Sequence, residues 1–167
     1  MPGSGPGKGI LGDGRGWANM NRLAVAACVL LWCHLGAWAG ETRFADPPPS
    51  AAAPRRIVLA LSDGDPVKMN SVFNNIANIQ DFYGKDRVAI ELVAYGPGIV
   101  ALLRDGSPVR ARVDEANANG VRLVACRASL AAHDKTVADL IEGVDSVANG
   151  LPEIVERELA GWVYLRP

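Results

Sequence analysis

The sequence predicts an α/β domain with a parallel sheet held between layers of helix. Three observations lead there. Apolar, β-branched runs such as "RIVLAL" and "VRLVAC" are continuous rather than alternating, as in strands covered on both faces. Segments of helical spacing separate these runs. Turns bearing glycine and proline, such as "SDGDP" and "GPG", mark each change from one to the other. The 167 residues suit one globular domain preceded by a segment outside it.

That leading segment has its own pattern. Residues 20–40, "MNRLAVAACVLLWCHLGAWAG", carry Arg22, an apolar run from Leu23 and the small-x-small triplet Ala37-Trp38-Ala39. This is the three-part grammar of a secretory signal peptide, cleaved after Ala39, with Met20 as an alternative start. A retained anchor is the competing reading, but about 17 apolar residues broken by His34 lie at the bottom of the spanning range. "VAAC" at 25–28 also resembles a lipoprotein cleavage box, although from Met20 the apolar run before Cys28 is too short for one. The expectation is a leader over 1–39, a Pro/Ala-rich extended linker over 40–55 and a folded domain over 56–167. The protein is then exported, periplasmic or secreted, with no stable membrane insertion once the leader is removed.

Removal of residues 1–39 takes Lys8, Arg15, Arg22 and Asp13 and leaves 14 basic and 17 acidic residues, a net charge of −3. Such a balance gives no footing to a nucleic-acid partner. Cys28, Cys33 and His34 leave too, so Cys126 becomes a lone thiol and His133 the one histidine. No intrachain disulfide can form, and no Cys/His set remains for zinc. With no GxGxxG and no phosphate-loop lysine, nothing suggests a nucleotide; no metal and no cofactor is expected.

The elements follow in order. "RIVLAL" (56–61) is the first strand. Pro66 suits a helix's first turn, and Val72, Phe73, Ile76, Ala77, Ile79 and Tyr83 trace an amphipathic helix that stops at Gly84. "RVAIELVAY" (87–95) is the second strand, followed by "GPG" and a short apolar helix, "IVALLRD". A second helix over 108–118 ends at "NANG", and "VRLVAC" (121–126) is the third strand. A polar helix or turn near 134–142 leads to a fourth strand, "VDSVA" (144–148). "LPEIVERELAG" sets Leu151, Ile154, Val155 and Leu159 on one helical face, and "WVYL" (162–165) is the last strand.

In such sheets ligands collect at the carboxyl ends of the strands. Three segments meet that condition: "SDGDPVKMN", "YGPGI" and "CRAS". Cys126 sits at a strand end before a helix start and beside Arg127; both effects favour the thiolate, the nucleophile of sulfur chemistry. The competing reading is plain core, since free cysteine is among the most buried residue types. Tyr95, Gly96 and Gly98 form a turn that either brings bare amides to a ligand or simply joins strand to helix. Asn70, Asn74 and Asn78 make a polar stripe that is a solvated face or a contact surface. Asp63 and Asp65 flank Gly64, where turn and helix-start chemistry competes with metal or base roles. Arg110, Arg112, Asp114 and Glu115 look like a solvated face, and His133 an exposed turn.

With these segments in place, the domain resembles the DsrE/DsrF-like proteins of the sulfur-relay type, and more closely their small exported branch. The matching stretches are "LSDGDPVKMNSVFNNIANIQ" (61–80), "VAIELVAYGPGIVALLRD" (88–105), "ANGVRLVAC" (118–126) and "GWVYLRP" (161–167). The resemblance implies a three-layer α/β/α sandwich around a mostly parallel five-stranded sheet, in homo-oligomers such as trimers or hexamers. It implies a persulfide-carrying cysteine, here Cys126, and a protein that donates or accepts sulfur. Two functions compete. In one, Cys126 with Arg127 carries sulfur, and Asp63, Asn70, Asn74, Tyr95, Gly96 and Gly98 shape the pocket. In the other, a non-catalytic homo-oligomeric module binds a small ligand or a protein in the same cleft, and Cys126 is a filler.

Overall fold

The computed structural model describes residues 40–167, and the leader expected over 1–39 lies outside the described residues. The apolar runs form β1 (Arg55–Leu61), β2 (Val88–Ala94) and β3 (Arg122–Cys126). Two strands of three residues, β4 (Asp145–Val147) and β5 (Val163–Leu165), complete a five-stranded sheet in the order β4-β3-β2-β1-β5. Every pairing is parallel, with Ile57 opposite Ile90, Leu92 opposite Leu123, Cys126 opposite Val147 and Val58 opposite Tyr164.

Four α-helices join the strands: α1 (Pro66–Tyr83), α2 (Arg110–Ala118), α3 (Arg127–Ala132) and α4 (Gly150–Leu159). Asp65 starts α1 by accepting the Val67 and Lys68 amides, and Gly84 ends it at φ 87°. The aspartate is helix-start chemistry, one of the two roles open to it. After β2 the expected apolar helix is instead a 3-10 segment, Gly96–Leu102. Its first turn is set by Gly98 donating to Tyr95 O at 3.1 Å, a one-residue-shorter loop than an α-helix uses. Ile99, Ala101 and Leu102 are nonetheless fully buried.

Three successive crossovers step from β1 to β4, and one returns to the far edge at β5. With right-handed connections, α1, α2 and α3 lie on one face and α4 on the other. The packing agrees. The larger core joins Leu59, Leu61 and Leu92 to Met69, Ile76, Val113 and Leu130, while the smaller one joins Val58, Val93 and Val124 to Ile154. The fold is a three-layer α/β/α sandwich.

The rotation of α4 departs from its apolar pattern. Gly150 and Ile154 are buried, but Leu151, Val155 and Leu159 are exposed. An ionic cluster explains the turn of the helix. Glu91, fully buried on β2, meets Arg122 Nη1 at 2.6 Å and Arg157 Nη2 at 2.9 Å, and Glu153 Oε1 pairs with Arg157 Nη2 at 2.8 Å. A buried carboxylate must be paired. Glu153 and Arg157 therefore face the sheet with Ile154, and the leucines face out. Arg157 also lies 5.1 Å from the Trp162 ring centroid.

The Pro/Ala-rich stretch before β1 packs on the domain rather than running free. Phe44 stacks on Tyr83 at 5.7 Å and meets Phe82 edge-on at 5.2 Å. The Arg55 guanidinium donates to the carbonyls of Ala45 and Pro47. No helix among the described residues is long and apolar enough to cross a membrane.

Candidate functional site

β3 and β4 are the neighbours whose connections part company. The chain leaves β3 into α3 on one face and leaves β4 into α4 on the other. A crevice forms where such connections diverge, and Cys126 is the residue that closes β3 there. Side chains alternate along a strand, so Cys126 shares the face of Val124 and points toward α4. It precedes the first turn of α3 with extended backbone, φ −75° and ψ 113°.

Cys126 is 5% exposed, yet its surroundings are not all hydrocarbon. Burial, the largest single influence, pushes the thiol up. The Ser129 hydroxyl and the amides of Ser129, Gly150 and Ala128 together outweigh it, and the thiol is held below its ordinary value. The Ala128 amide is shared, since it also donates to Ala148 O at 3.2 Å. Polar groups from the starts of both α3 and α4 thus lie near the sulfur and favour a thiolate, although the Cys126 side chain closes no capping hydrogen bond on α3. Close approach of α4 depends on Gly150. A Cβ there would stand 3.2 Å from Cys126 Cβ, 3.3 Å from Tyr95 Cβ and 3.1 Å from Val93 Cγ1.

Ser129 is itself fixed from below. Its Oγ accepts the Gly96 amide at 2.8 Å, so the hydroxyl hydrogen is free to serve the sulfur. This brings the turn after β2 into the site. Tyr95 is half-buried in the smaller core, and its amide donates to Leu61 O at 3.0 Å. The glycine amides of that turn are not offered to a ligand: Gly96 spends its own on Ser129 and Gly98 on Tyr95 O. Gly98 has a packing role instead, because a Cβ at that position would run into the Leu61 carbonyl.

The structure therefore gathers Cys126, Tyr95 and Gly96, and it does not gather the rest. Arg127 opens α3 but is exposed, and the donors around the sulfur are amides and a hydroxyl. Asp63 ends the turn after β1, two strands away, at about 10 Å by strand spacing. Asn70 donates to Pro66 O in its own helix at 2.8 Å, and Asn74 accepts from Arg112 at 3.0 Å. Both asparagines serve the helical layer, where α1 has its own backbone and α2 within reach. Arg110 and Arg112 pair with Asp114 and Glu115 on the surface, and His133 is exposed. No group of three or more His, Cys, Asp or Glu among the described residues is set to hold a metal ion.

Sequence reasoning missed Ser129 and Gly150. Ser129 had a local signal, a hydroxyl three positions beyond the residue that precedes and caps a helix, the spacing at which first-turn groups fold back on the cap. Gly150 sits before "LP" at a helix start, but nothing local ties it to a cysteine 24 residues earlier.

No family model and no curated protein matches the chain. Solved structures do. A protein of unknown function, MTH1491 from Methanobacterium thermoautotrophicum, is 36% identical, with TM-score 0.64, covering 68% of this chain and 99% of its own. A conserved protein of unknown function, BT1422 from Bacteroides thetaiotaomicron, shares the fold at 16% identity and TM-score 0.50, covering 67% of this chain and 94% of its own.

Proposed function

We propose that this chain, which belongs to the family of the Methanobacterium thermoautotrophicum protein MTH1491, handles sulfur through Cys126. The reading follows the likeness to DsrE/DsrF-like carriers in the sequence. One observation carries it: the one cysteine among the described residues ends β3 between the starts of α3 and α4, with Gly150 packed against it and its thiol held, against burial, below the ordinary value by nearby polar groups, the Ser129 hydroxyl foremost. In the reaction, the thiolate attacks the outer sulfur of a sulfane donor. A sulfur–sulfur bond forms on Cys126, the bond between that sulfur and the donor breaks, and the donor leaves with the electron pair. An acceptor nucleophile then takes the terminal sulfur and returns Cys126 to the thiolate. The same donors that hold the thiolate suit the persulfide anion.

The protein would work after export, in the periplasm or outside the cell, as a homo-oligomer, trimer or hexamer, exchanging sulfur with a donor or acceptor protein. Treatment of the anaerobic, purified protein with a sulfane donor is expected to add one sulfur atom at Cys126 by mass spectrometry. No gain, or an equal gain in Cys126→Ser, rejects the reading.

A second reading has an observation of its own. At 5% exposure, Cys126 also fits a non-catalytic binding module in which the thiol is packing. That version predicts resistance to alkylation in the native state, whereas the carrier is alkylated quickly at neutral pH.

A further inference from the structure

Leu151, Val155 and Leu159 are 58%, 50% and 78% exposed, at successive i, i+4 and i+8 positions of α4. At 3.6 residues per turn they form one ridge about 12 Å long on the side away from the sheet, with exposed Pro152 beside it. A lone exposed leucine needs no explanation, but three apolar side chains in line do. The sheet-facing positions beside Ile154 go instead to Glu153 and Arg157, which pair with buried Glu91 and with Arg122. Apolar side chains buried there would hold the helix as well as ions do. The helix is thus turned so that its ridge stays in water.

Charge selects what the ridge can receive. At the same helical spacing Glu158 lies along one flank and Glu156 along the other, both exposed. Among the described residues neither stands within ion-pair reach of a cation. The other cations around α4 lie off the ridge. Arg56 is beside Gly161, past the last turn, at the negative end of the helix dipole. Arg127 follows Cys126, before the first turn, and Arg166, past β5, acts on Asp63 and Tyr164. A second copy laid on this ridge would set glutamates against glutamates, and an anionic lipid surface would be repelled in the same way. A ridge of i±4 spacing is what the groove of another helix accepts, and flanking charges of opposite sign choose that helix.

We propose that this face of α4 docks an amphipathic helix of a partner protein. The partner's apolar side lies along Leu151, Val155 and Leu159, and its flanking lysines or arginines meet Glu156 and Glu158. Leu151 follows Gly150, which packs against Cys126, so such a partner sits next to the sulfur. The docking itself does not rest on sulfur chemistry at Cys126.

Two synthetic helices of about 15 residues test it, one of leucine and lysine with the leucines in an i, i+4 ridge, the other with glutamate for each lysine. Fluorescence anisotropy against the full chain at about 0.15 M salt should show saturable binding of the leucine/lysine helix. The leucine/glutamate helix should bind at least about fivefold more weakly. Leu159→Gln, at an exposed position, should fold as the parent does and weaken the leucine/lysine helix by about fivefold or more. Glu156→Lys together with Glu158→Lys should reverse the preference. Cys126→Ser should bind as the parent does, which separates this test from that of the sulfur reading. The proposal is overturned if the leucine/lysine helix fails to saturate by about 1 mM, the edge of useful affinity. Equal binding of the two helices, an unaffected Leu159→Gln or a preference that survives the charge reversal would overturn it too. Tighter binding to phosphatidylglycerol vesicles, or a parent oligomer that Leu159→Gln takes apart, would give the face to a membrane or to a second copy and overturn it equally.

Discussion

The Gly96 amide donates to Ser129 Oγ at 2.8 Å, across 33 residues of sequence, and so orients the hydroxyl that serves Cys126. The turn after β2 and the thiol at the end of β3 are in this way one unit. Ser129→Ala removes the strongest donor and orphans the Gly96 amide. Native alkylation of Cys126 near neutral pH should slow by about three- to tenfold, because a smaller thiolate fraction outweighs the higher nucleophilicity of a more basic thiolate. The rate-against-pH curve should move to higher pH. An unmoved curve would show that the hydroxyl has no part in the site.

A lowered thiol also makes stability depend on pH. Between the folded thiol's value and the ordinary range near about 8.5, the unfolded chain holds a proton that the folded chain has released, so stability rises with pH. Above that range the advantage is complete, and it is lost as pH falls through the folded value. Denaturant unfolding of the parent and of Cys126→Ser across these pH values should show their difference growing upward and then levelling. A constant difference contradicts a perturbed thiol.

Gly150→Ala is a test of the close approach of α4. The new Cβ meets Cys126 Cβ and Tyr95 Cβ, atoms that cannot move without their backbones. The helix start should be levered away, at a cost of about 1–3 kcal/mol. The Gly150 amide then withdraws from the sulfur, so thiol titration should shift upward together with the loss of stability. Destabilisation with an unchanged thiol would mean that the amide does not act on Cys126.

Glu91 and Arg157 hold α4 against the sheet from its other end. Glu91→Gln should cost about 3–5 kcal/mol, the penalty for breaking a buried pair from one side. A double-mutant cycle with Arg157→Gln should return a coupling of about 1–3 kcal/mol for side chains in direct contact. Additive losses would dissolve the explanation given for the helix's rotation.

What could be read in advance follows from how local each signal is. β1, β2 and β3 announce themselves because a doubly covered strand must be apolar along its length, and Asp65 and Pro66 mark the start of α1 in four neighbouring residues. Cys126 was legible as a strand end before a helix. The orientation of α4 was not, because it depends on Glu91, which lies 66 positions before Arg157 and reads as an interruption in an apolar run. The surroundings of the sulfur were hidden for the same reason: Gly150 comes against Cys126, and Gly96 against Ser129, only once the sheet is assembled. The glycines of "YGPGI" were open to two roles, ligand-facing amides or a plain strand-to-helix turn, and the structure gives them the turn: at Gly98 the Leu61 carbonyl leaves no room for a side chain.

The sheet's two rims, β4 and β5, are each three residues long. A rim of that length offers too few backbone groups to template a strand from another molecule, and Asp145 puts a charge on one of them. Ladder growth by strand addition is disfavoured at both borders of a sheet rich in β-branched residues. Copies of this protein that meet are thereby steered away from strand addition and toward contacts through side chains, where sequence can choose the partner.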